Sequence, residues 1–358
     1  MPVMPELKQP EARGSSLDAW APSSASTAGV LGSRLTVVVN TSPCAAQPST
    51  RLLEEVIASL LVHAPALAGC RLLLVADGCK LRERYAWKQG NVTAVEADAY
   101  ARYLASVQRL SKTPGTPLHG AQLLQLLEHH GCGHALRRGL ARVSTPYVLV
   151  VQHDRPLCCP VHLPPLIDAL DADETANTMH LPTAATLMYA VKASSRGLSG
   201  NLFDPVLVGG TVSCTPLSAF LDSTHIGRVS WYRERVFGRQ RLVHLPRGCF
   251  LEDTYGQAQL ADVRAASAGG VEEGREALLR HGCFLVNGFA TPVVAHLDGH
   301  DALTRQEGWK KWRLAHCHSK HEADDLEASR ERLSPESAMP PETLVAGFFD
   351  AVMEEVCV

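Results

Sequence analysis

The chain has 358 residues, of which 46% are hydrophobic and 20% are charged, and its formal net charge at pH 7 is −3. This composition supports one large α/β domain or two small ones. The near-neutral charge argues against a nucleic-acid-binding protein, and it predicts no attraction to an anionic membrane. No apolar run approaches the roughly 20 residues that a membrane-spanning helix needs.

Two features favour a soluble cytoplasmic protein. The N-terminal sequence MPVMPELKQPEARGSS lacks the apolar stretch of a secretory signal. The eleven cysteines are odd in number and scattered along the chain, which favours reduced thiols over a disulfide framework. The expectation changes if a membrane anchor precedes the given N-terminus.

The first third of the chain predicts alternating strands and helices. Residues 1–33 lack apolar periodicity and predict a disordered leader. Residues 35–40 form a β-branched run typical of a strand that is covered on both faces. A helix follows and ends at Pro65, and strands are predicted at 71–78 and 92–97. The residues that define the helix by their spacing are Leu52, Leu53, Val56, Ile57, Leu60 and Leu61.

The middle of the chain predicts two helices and then the most hydrophobic strand, at 147–154. Strands and helices that alternate without hairpin turns predict right-handed crossovers and a parallel sheet. The residues that share one face in the two helices are Leu123, Leu124 and Leu127 for the first and Leu136, Leu140 and Val143 for the second.

The second half is less regular. It predicts helices at 163–170 and up to about 281, strands around 177–190, 206–213, 283–286 and 291–296, and a final amphipathic helix around Leu344, Phe348, Phe349 and Val352.

Polar residues follow the predicted strands. An alternating α/β chain binds ligands beyond the carboxyl ends of its strands, near a topological switch point. The residues at these positions include Thr41, Asp77, Gln152, His153 and Asp154.

Four segments, in order, resemble the family 2 glycosyltransferases and their GT-A relatives. VADGC at 75–79 resembles the V-D-D-G-S motif, and residues 133–154 resemble the helix and strand that lead to the D-x-D metal motif. LEDTYGQ at 251–257 resembles the E-D motif, and HLDG at 296–299 resembles the late histidine segment. Each segment alone is a weak signal. Their order along the chain strengthens the resemblance.

The resemblance implies an α/β fold of the GT-A (Rossmann-like) type, with a mixed, mainly parallel sheet flanked by helices in one large domain. After the leader, it divides the chain into a nucleotide-sugar-binding half (34–160) and an acceptor and catalytic half (161–316). A charged linker and C-terminal helix would follow at 317–358.

The implied activity is transfer of a hexose or pentose from a nucleotide-diphosphate donor to a hydroxyl of a glycan, glycoprotein or small molecule. Displacement would be direct and inverting. Asp253 is the implied catalytic base, with Glu252 as the second candidate, because the acceptor hydroxyl must lose a proton.

The resemblance also implies how the donor is held. Asp154 and His296 would bind Mn²⁺ or Mg²⁺, and the imidazole favours Mn²⁺. Such a cation stabilises the negative charge of the leaving group. The residues implied to contact the donor are Thr41, Asp77, Gln152 and Asp154.

Position 152 departs from the family pattern, because glutamine stands where the first Asp of D-x-D is expected. Glutamine brings no charge, so metal affinity should fall. The alternative is therefore a catalytically weak or inactive GT-A-like protein that binds a nucleotide or glycan. A nucleotidyltransferase ranks lowest, because residues 40–50 lack the glycine and lysine of its phosphate loop.

Each candidate residue also has a structural interpretation. Asp77 suits a turn before glycine, Asp154 suits a strand-end cap, and Asp253 suits a helix N-cap. His296 suits an ordinary strand position, and His153 suits a satisfied histidine of the core.

Three further groups of residues each have two interpretations. The cluster of His316, Cys317, His318 and His321 suggests zinc, but its spacing favours a charged helix face. Trp231 and Tyr232 suit either an acceptor-sugar platform or core packing. The arginines that suit either a diphosphate clamp or a solvated face are Arg228, Arg233, Arg235, Arg239, Arg241 and Arg247.

Overall fold

The computed structural model describes residues 26–297, except for residues 85, 87, 88 and 196. Helix α1 (Ser26–Arg34) lies where the end of the disordered leader is predicted. The earlier part of the leader, the predicted C-terminal helix and the cluster around His316 lie outside the described residues.

Strands and helices alternate through the first half. The elements after α1 are β1 (Leu35–Thr41), α2 (Arg51–His63), β2 (Arg71–Ala76), β3 (Lys80–Leu81), β4 (Asn91–Val92), α3 (Ala94–Leu110), β5 (Gln122–Gln125), α4 (Cys132–Leu140) and β6 (Tyr147–Gln152). A 3₁₀ helix at Pro65–Gly69 lies between α2 and β2.

The second half has shorter strands. Its elements are α5 (Leu163–Ala172), β7 (Thr178–His180), α6 (Tyr189–Ser195), β8 (Val206–Val208), β9 (Val212–Pro216), β10 (His225–Arg228), α7 (Val229–Trp231), α8 (Gln257–Ser267), α9 (Val271–His281) and β11 (Cys283–Val286). A 3₁₀ helix lies at Gly200–Phe203, a π-helical turn continues α7 (Tyr232–Val236), and another leads into α8 (Glu252–Gly256).

One nine-stranded sheet runs through both halves in the order β5-β2-β1-β6-β10-β7-β11-β9-β8. From the pairings, β10 and β9 run opposite to the other seven strands. The predicted mixed, mainly parallel sheet flanked by helices is confirmed. The chain runs outward from β1 to β2 and β5, and then returns to β6 on the other side of β1. The carboxyl ends of β1 and β6 therefore form a topological switch point.

Both faces of the central strands are covered, as the continuous apolar runs predict. Val37 and Val39 of β1 pack into a core with α2, α3 and α5, whereas Val38 packs into a second core with α4 and the helical turns after β10. This alternation follows from the two-residue period of a strand.

Two local predictions are wrong. Of the strand predicted at 92–97, only Val92 is extended, as the last residue of β4, because Thr93 and Glu96 form a capping box that starts α3. The helix predicted around Leu123, Leu124 and Leu127 is instead the edge strand β5, which pairs with β2, and Leu127 is exposed.

Two further strands are shorter or missing. The predicted strand at 177–190 is limited to β7, and α6 begins at Tyr189. The segment 291–296 contains no strand, because only Val294 makes isolated bridges, with Leu157 and Thr183.

A buried histidine pair gives the fold a pH dependence. His225 and His180 stack with ring centroids 4.6 Å apart. His225 Nδ1 donates to the Ser223 carbonyl (2.6 Å), so the neutral Nε2 accepts from the hydroxyl of Tyr232. Burial lowers the pKa of His225 to about 4, and that of His180 is lowered as well.

Because the folded pKa of His225 lies below the unfolded value, its contribution to stability is complete above about pH 6.5 and is lost as the pH falls toward 4. We expect this residue alone to lower the free energy of unfolding by about 2 kcal/mol between pH 7 and pH 5. Urea unfolding at both pH values, with an NMR titration of His225, measures this. A pKa of His225 near 6.5 in the folded protein would contradict it.

Candidate active site

Several of the predicted site residues lie at the switch-point edge. β6 is followed by His153 and Asp154, and the backbone N–H of His153 donates to the Asn40 carbonyl of β1 (3.0 Å). β10 runs antiparallel to β6. The residues that precede β10, including Asp222, therefore lie at the same edge as the residues that follow β6.

Asp154 and His296 are brought into direct contact. His296 Nε2 lies 3.2 Å from Asp154 Oδ2, although 142 residues separate them. Asp154 Oδ1 is buried and has no hydrogen-bond partner. Burial by itself would raise the pKa of Asp154, but the hydrogen bond with His296 and the charges of His153, His296 and Arg155 lower it below its ordinary range. The carboxylate is therefore charged at neutral pH.

This pair fits a divalent cation. An unpartnered carboxylate oxygen beside an imidazole nitrogen is a donor set that suits Mn²⁺. Within residues 26–297, apart from the four that the structure does not describe, no three His, Cys, Asp or Glu side chains come together as metal ligands. The protein would supply two ligands, and phosphate oxygens and water would complete the shell.

A second acidic group contains Glu252, Asp253 and Asp222. The backbone N–H of Asp222 donates to Glu252 Oε2, and the backbone N–H of Glu252 donates to Asp222 Oδ2, both at 3.1 Å. Burial, together with the charges of Glu252 and Asp253, raises the pKa of Asp222 to about 7. Desolvation of its carboxylate and the charge of Asp253 also raise the pKa of Glu252. Glu252 and Asp253 are both exposed at the start of the helical segment.

Cys132, the first residue of α4, lies within range of the charges of both groups. Asn40 Nδ2 donates to its sulfur at 3.8 Å. The pKa of the Cys132 thiol is raised well above its usual value, first by burial and then by the charges of Asp222, Asp77 and Asp154. The charges of three carboxylates therefore act on one thiol at this edge of the sheet.

Gln152, Thr41 and Asp77 are held by contacts within the protein. Gln152 Nε2 donates to the carbonyl of Asp222 at 2.8 Å. The hydroxyl of Thr41 bonds that of Tyr103 at 2.9 Å. The predicted donor contacts of these three residues stay predictions.

The Asp77 carboxylate anchors the loop that leads into α4. It accepts from the backbone N–H groups of His130 and Gly131, each at 2.8 Å, and from that of Gly78 at 3.0 Å. Its Oδ2 also lies 3.0 Å from His129 Nδ1. Glycine is required at position 131 for two reasons. Its φ is 79°, and a Cβ on this residue would lie only 2.4 Å from Gly248 Cα.

We expect Asp77→Ala to lower the free energy of unfolding by about 2–4 kcal/mol, because it leaves buried N–H groups of this loop unpaired. Urea denaturation measures the change. Asp204→Asn, at an exposed aspartate, is the control. A loss below about 0.5 kcal/mol would show that the anchor is not needed.

Several residues for which the sequence leaves two interpretations open pack in the core or bind the backbone. Tyr232 and Trp231 are buried, at 0% and 5% exposure, so the acceptor-platform interpretation is wrong and core packing holds. Several of the arginines that suit either a diphosphate clamp or a solvated face donate hydrogen bonds to backbone carbonyls. Arg228 binds those of Ala176, Leu170 and Asp173, Arg233 those of Leu140 and Val143, and Arg247 that of His129.

Asp222 is the residue at this edge that sequence reasoning missed. It lies in no recognisable motif. The antiparallel placement of β10 beside β6 brings it to the site, and the parallel pattern of the first half gives no sign of that reversal.

None of the described cysteines forms a disulfide. No described helix has the length and apolar character needed to cross a membrane.

No protein-family model matches the sequence. A search of curated proteins also finds no match. The structure is similar to several solved glycosyltransferases. These include S. aureus TarS (TM-score 0.40, 11% identity, covering 83% of this chain and 42% of that chain).

Two others are the mannosyltransferase PcManGT from Pyrobaculum calidifontis in complex with GDP-Man and Mn²⁺ (0.36, 16%, 86% and 66%) and glucosyl-3-phosphoglycerate synthase from Mycobacterium tuberculosis in complex with Mn²⁺, UDP and glucosyl-3-phosphoglycerate (0.38, 16%, 79% and 77%). The chain spans less than half of the TarS structure.

Proposed function

We propose that the chain is a glycosyltransferase that uses a nucleotide-diphospho-sugar donor and a divalent cation. The observation that carries the proposal is the contact between Asp154 and His296 at the switch point, with Glu252 and Asp253 joined to the same edge through Asp222. Three of the four ordered motifs, far apart in sequence, supply Asp154, Glu252, Asp253 and His296.

On the donor side, Asp154 and His296 would hold Mn²⁺ or Mg²⁺ together with the diphosphate. The bound cation supplies Lewis-acid stabilisation of the leaving group. Asp154 is suited to this role because its lowered pKa keeps it charged, and because its buried Oδ1 has no protein partner. The switch point is where an open α/β sheet binds nucleotides.

On the acceptor side, Asp253 takes the proton of the attacking hydroxyl. It is exposed at the start of a helical segment, so an acceptor can reach it. Glu252, with a raised pKa and a carboxylate oxygen that accepts from Asp222, is the second candidate. The acceptor oxygen forms the new bond to the anomeric carbon, and the nucleoside diphosphate leaves with the electron pair of the old one. Direct displacement inverts that carbon.

A donor-panel assay tests the proposal. Purified protein is incubated with UDP-, GDP- and other nucleotide sugars in Mn²⁺, and nucleotide release is followed with and without EDTA. We expect release from at least one donor and its loss in EDTA. Mass spectrometry of a co-purifying nucleotide would narrow the panel.

One observation favours a second candidate, a nucleotide- or glycan-binding protein without turnover. The Gln152 side chain is uncharged, and its amide is bound to the Asp222 carbonyl. The D-x-D-like segment therefore offers a cation one carboxylate, Asp154, where the family motif offers two. Tight binding of UDP or GDP without turnover of any donor would favour this candidate.

His296→Ala should raise the Mn²⁺ concentration for half-maximal nucleotide release about tenfold or more, because one of two protein ligands is lost. His244→Ala, at an exposed histidine that has no role in the proposed site, is the control. An unchanged Mn²⁺ dependence in His296→Ala would remove this residue from the metal site.

A further inference from the structure

Gln152, Asp222 and Glu252 form a chain of hydrogen bonds across the proposed site. Gln152 Nε2 donates to the Asp222 carbonyl at 2.8 Å. The backbone N–H of Asp222 donates to Glu252 Oε2, and the backbone N–H of Glu252 donates back to Asp222 Oδ2, both at 3.1 Å. The end of β6, which leads to Asp154, is thereby tied to the segment that carries Asp253.

The chemistry of this contact accounts for glutamine at position 152. A backbone carbonyl only accepts hydrogen bonds, so its partner must carry an N–H or O–H group. A carboxylate at position 152 would place an acceptor against an acceptor. It would also add a negative charge beside Asp222, which already has Glu252 and Asp253 as charged neighbours. Glutamine gives up the charge and gains the hydrogen bond.

We infer that Gln152 and Asp222 are positioning residues, which hold the Glu252–Asp253 segment at a fixed distance from Asp154. This inference rests on the proposed function and refines it. In this role neither residue touches the substrate. They align the base with the donor, and alignment of that kind contributes strongly to rate while leaving donor affinity nearly unchanged.

Amide hydrogen exchange tests the hydrogen-bond chain without any substrate. Gln152→Glu keeps the side-chain length and removes the N–H donor. We expect the backbone amides of Asp222 and Glu252 to exchange at least about threefold faster in this variant. Gln125→Glu, at an exposed glutamine that ends β5, is the matched control and should leave both amides unchanged. Equal protection of both amides in Gln152→Glu and wild type would overturn the inference.

Kinetics test the positioning role. With the nucleotide that the donor panel selects, UDP or GDP, the affinity of Gln152→Glu in Mn²⁺ should stay within about twofold of wild type. Its kcat for that donor should fall at least about tenfold. Weakened nucleotide affinity with unchanged kcat would make Gln152 a donor ligand and overturn the inference. Faster amide exchange with unchanged kcat would overturn it too.

Asp222 variants separate positioning from proton transfer. Asp222→Ala should lower kcat as Gln152→Glu does. Asp222→Asn keeps an oxygen that accepts from the Glu252 N–H, so it should recover most of that loss. If Asp222→Asn is as inactive as Asp222→Ala, the carboxylate itself takes part in the reaction, and the inference is overturned.

A wild-type chain that releases nucleotide from no donor would overturn the proposed function, and the positioning role with it. The exchange experiment would still show whether the hydrogen-bond chain exists.

Discussion

Asp154→Asn is expected to weaken Mn²⁺-dependent binding of UDP or GDP by at least about a hundredfold. The variant keeps the shape of the side chain but removes the negative charge, and it leaves His296 as the remaining protein ligand of the pair. Binding measured in EDTA should change far less, because the lost contact acts through the cation. Isothermal titration of each nucleotide with and without Mn²⁺ separates the two effects.

The control is Asp98→Asn, which alters an exposed ion pair with Arg102 on α3. Exposed pairs of this kind contribute little to stability. This control should therefore bind nucleotide as wild type does. Equal affinities for Asp154→Asn and wild type in Mn²⁺ would exclude Asp154 as the metal ligand.

Asp253→Asn is expected to lower kcat by about 10² to 10⁴ with little change in nucleotide affinity. The amide cannot take the acceptor proton, whereas the donor site around Asp154 is untouched. Single-turnover transfer with the donor found in the panel measures the chemical step directly. Asp204→Asn, another exposed aspartate, is the matched control.

The companion variant Glu252→Gln decides between the two carboxylates. We expect it to have the smaller effect on kcat, through its hydrogen bond with Asp222. A large loss in Glu252→Gln together with wild-type kcat in Asp253→Asn would assign the base to Glu252.

The sequence predicts the first half of the fold well, because that half is built from local signals. The apolar runs of β1, β2 and β6 are long, and each is buried on both faces. The predictions fail where short apolar segments are ambiguous. Leu123 and Leu124 fit a helix by spacing, yet they lie in β5, because the free edge of β2 offers backbone partners.

The second half of the fold depends on contacts that no local pattern records. Asp222 reaches the site because β10 reverses direction beside β6. His296 follows no strand, and its contact with Asp154 joins residues 142 positions apart. The resemblance to the family motifs singles out His296 and Asp253, but it gives no reason for Gln152. The hydrogen bond from Gln152 to the Asp222 carbonyl becomes visible only when the two segments are placed side by side.

Asp77 illustrates a different limit. A strand that ends in Asp-Gly fits a turn and a ligand site equally well. The structure shows a third role, in which the carboxylate binds the backbone of the loop before α4. The sequence contains no signal for that role, because the partners are N–H groups more than fifty residues away.

The most direct test of the site is the anomalous X-ray signal of manganese in crystals grown with Mn²⁺ and UDP or GDP. We expect one strong peak in contact with Asp154 and His296, with the diphosphate on the same ion and Asp253 facing the adjoining space. A nucleotide bound elsewhere on the chain, or manganese that avoids both residues, would contradict it.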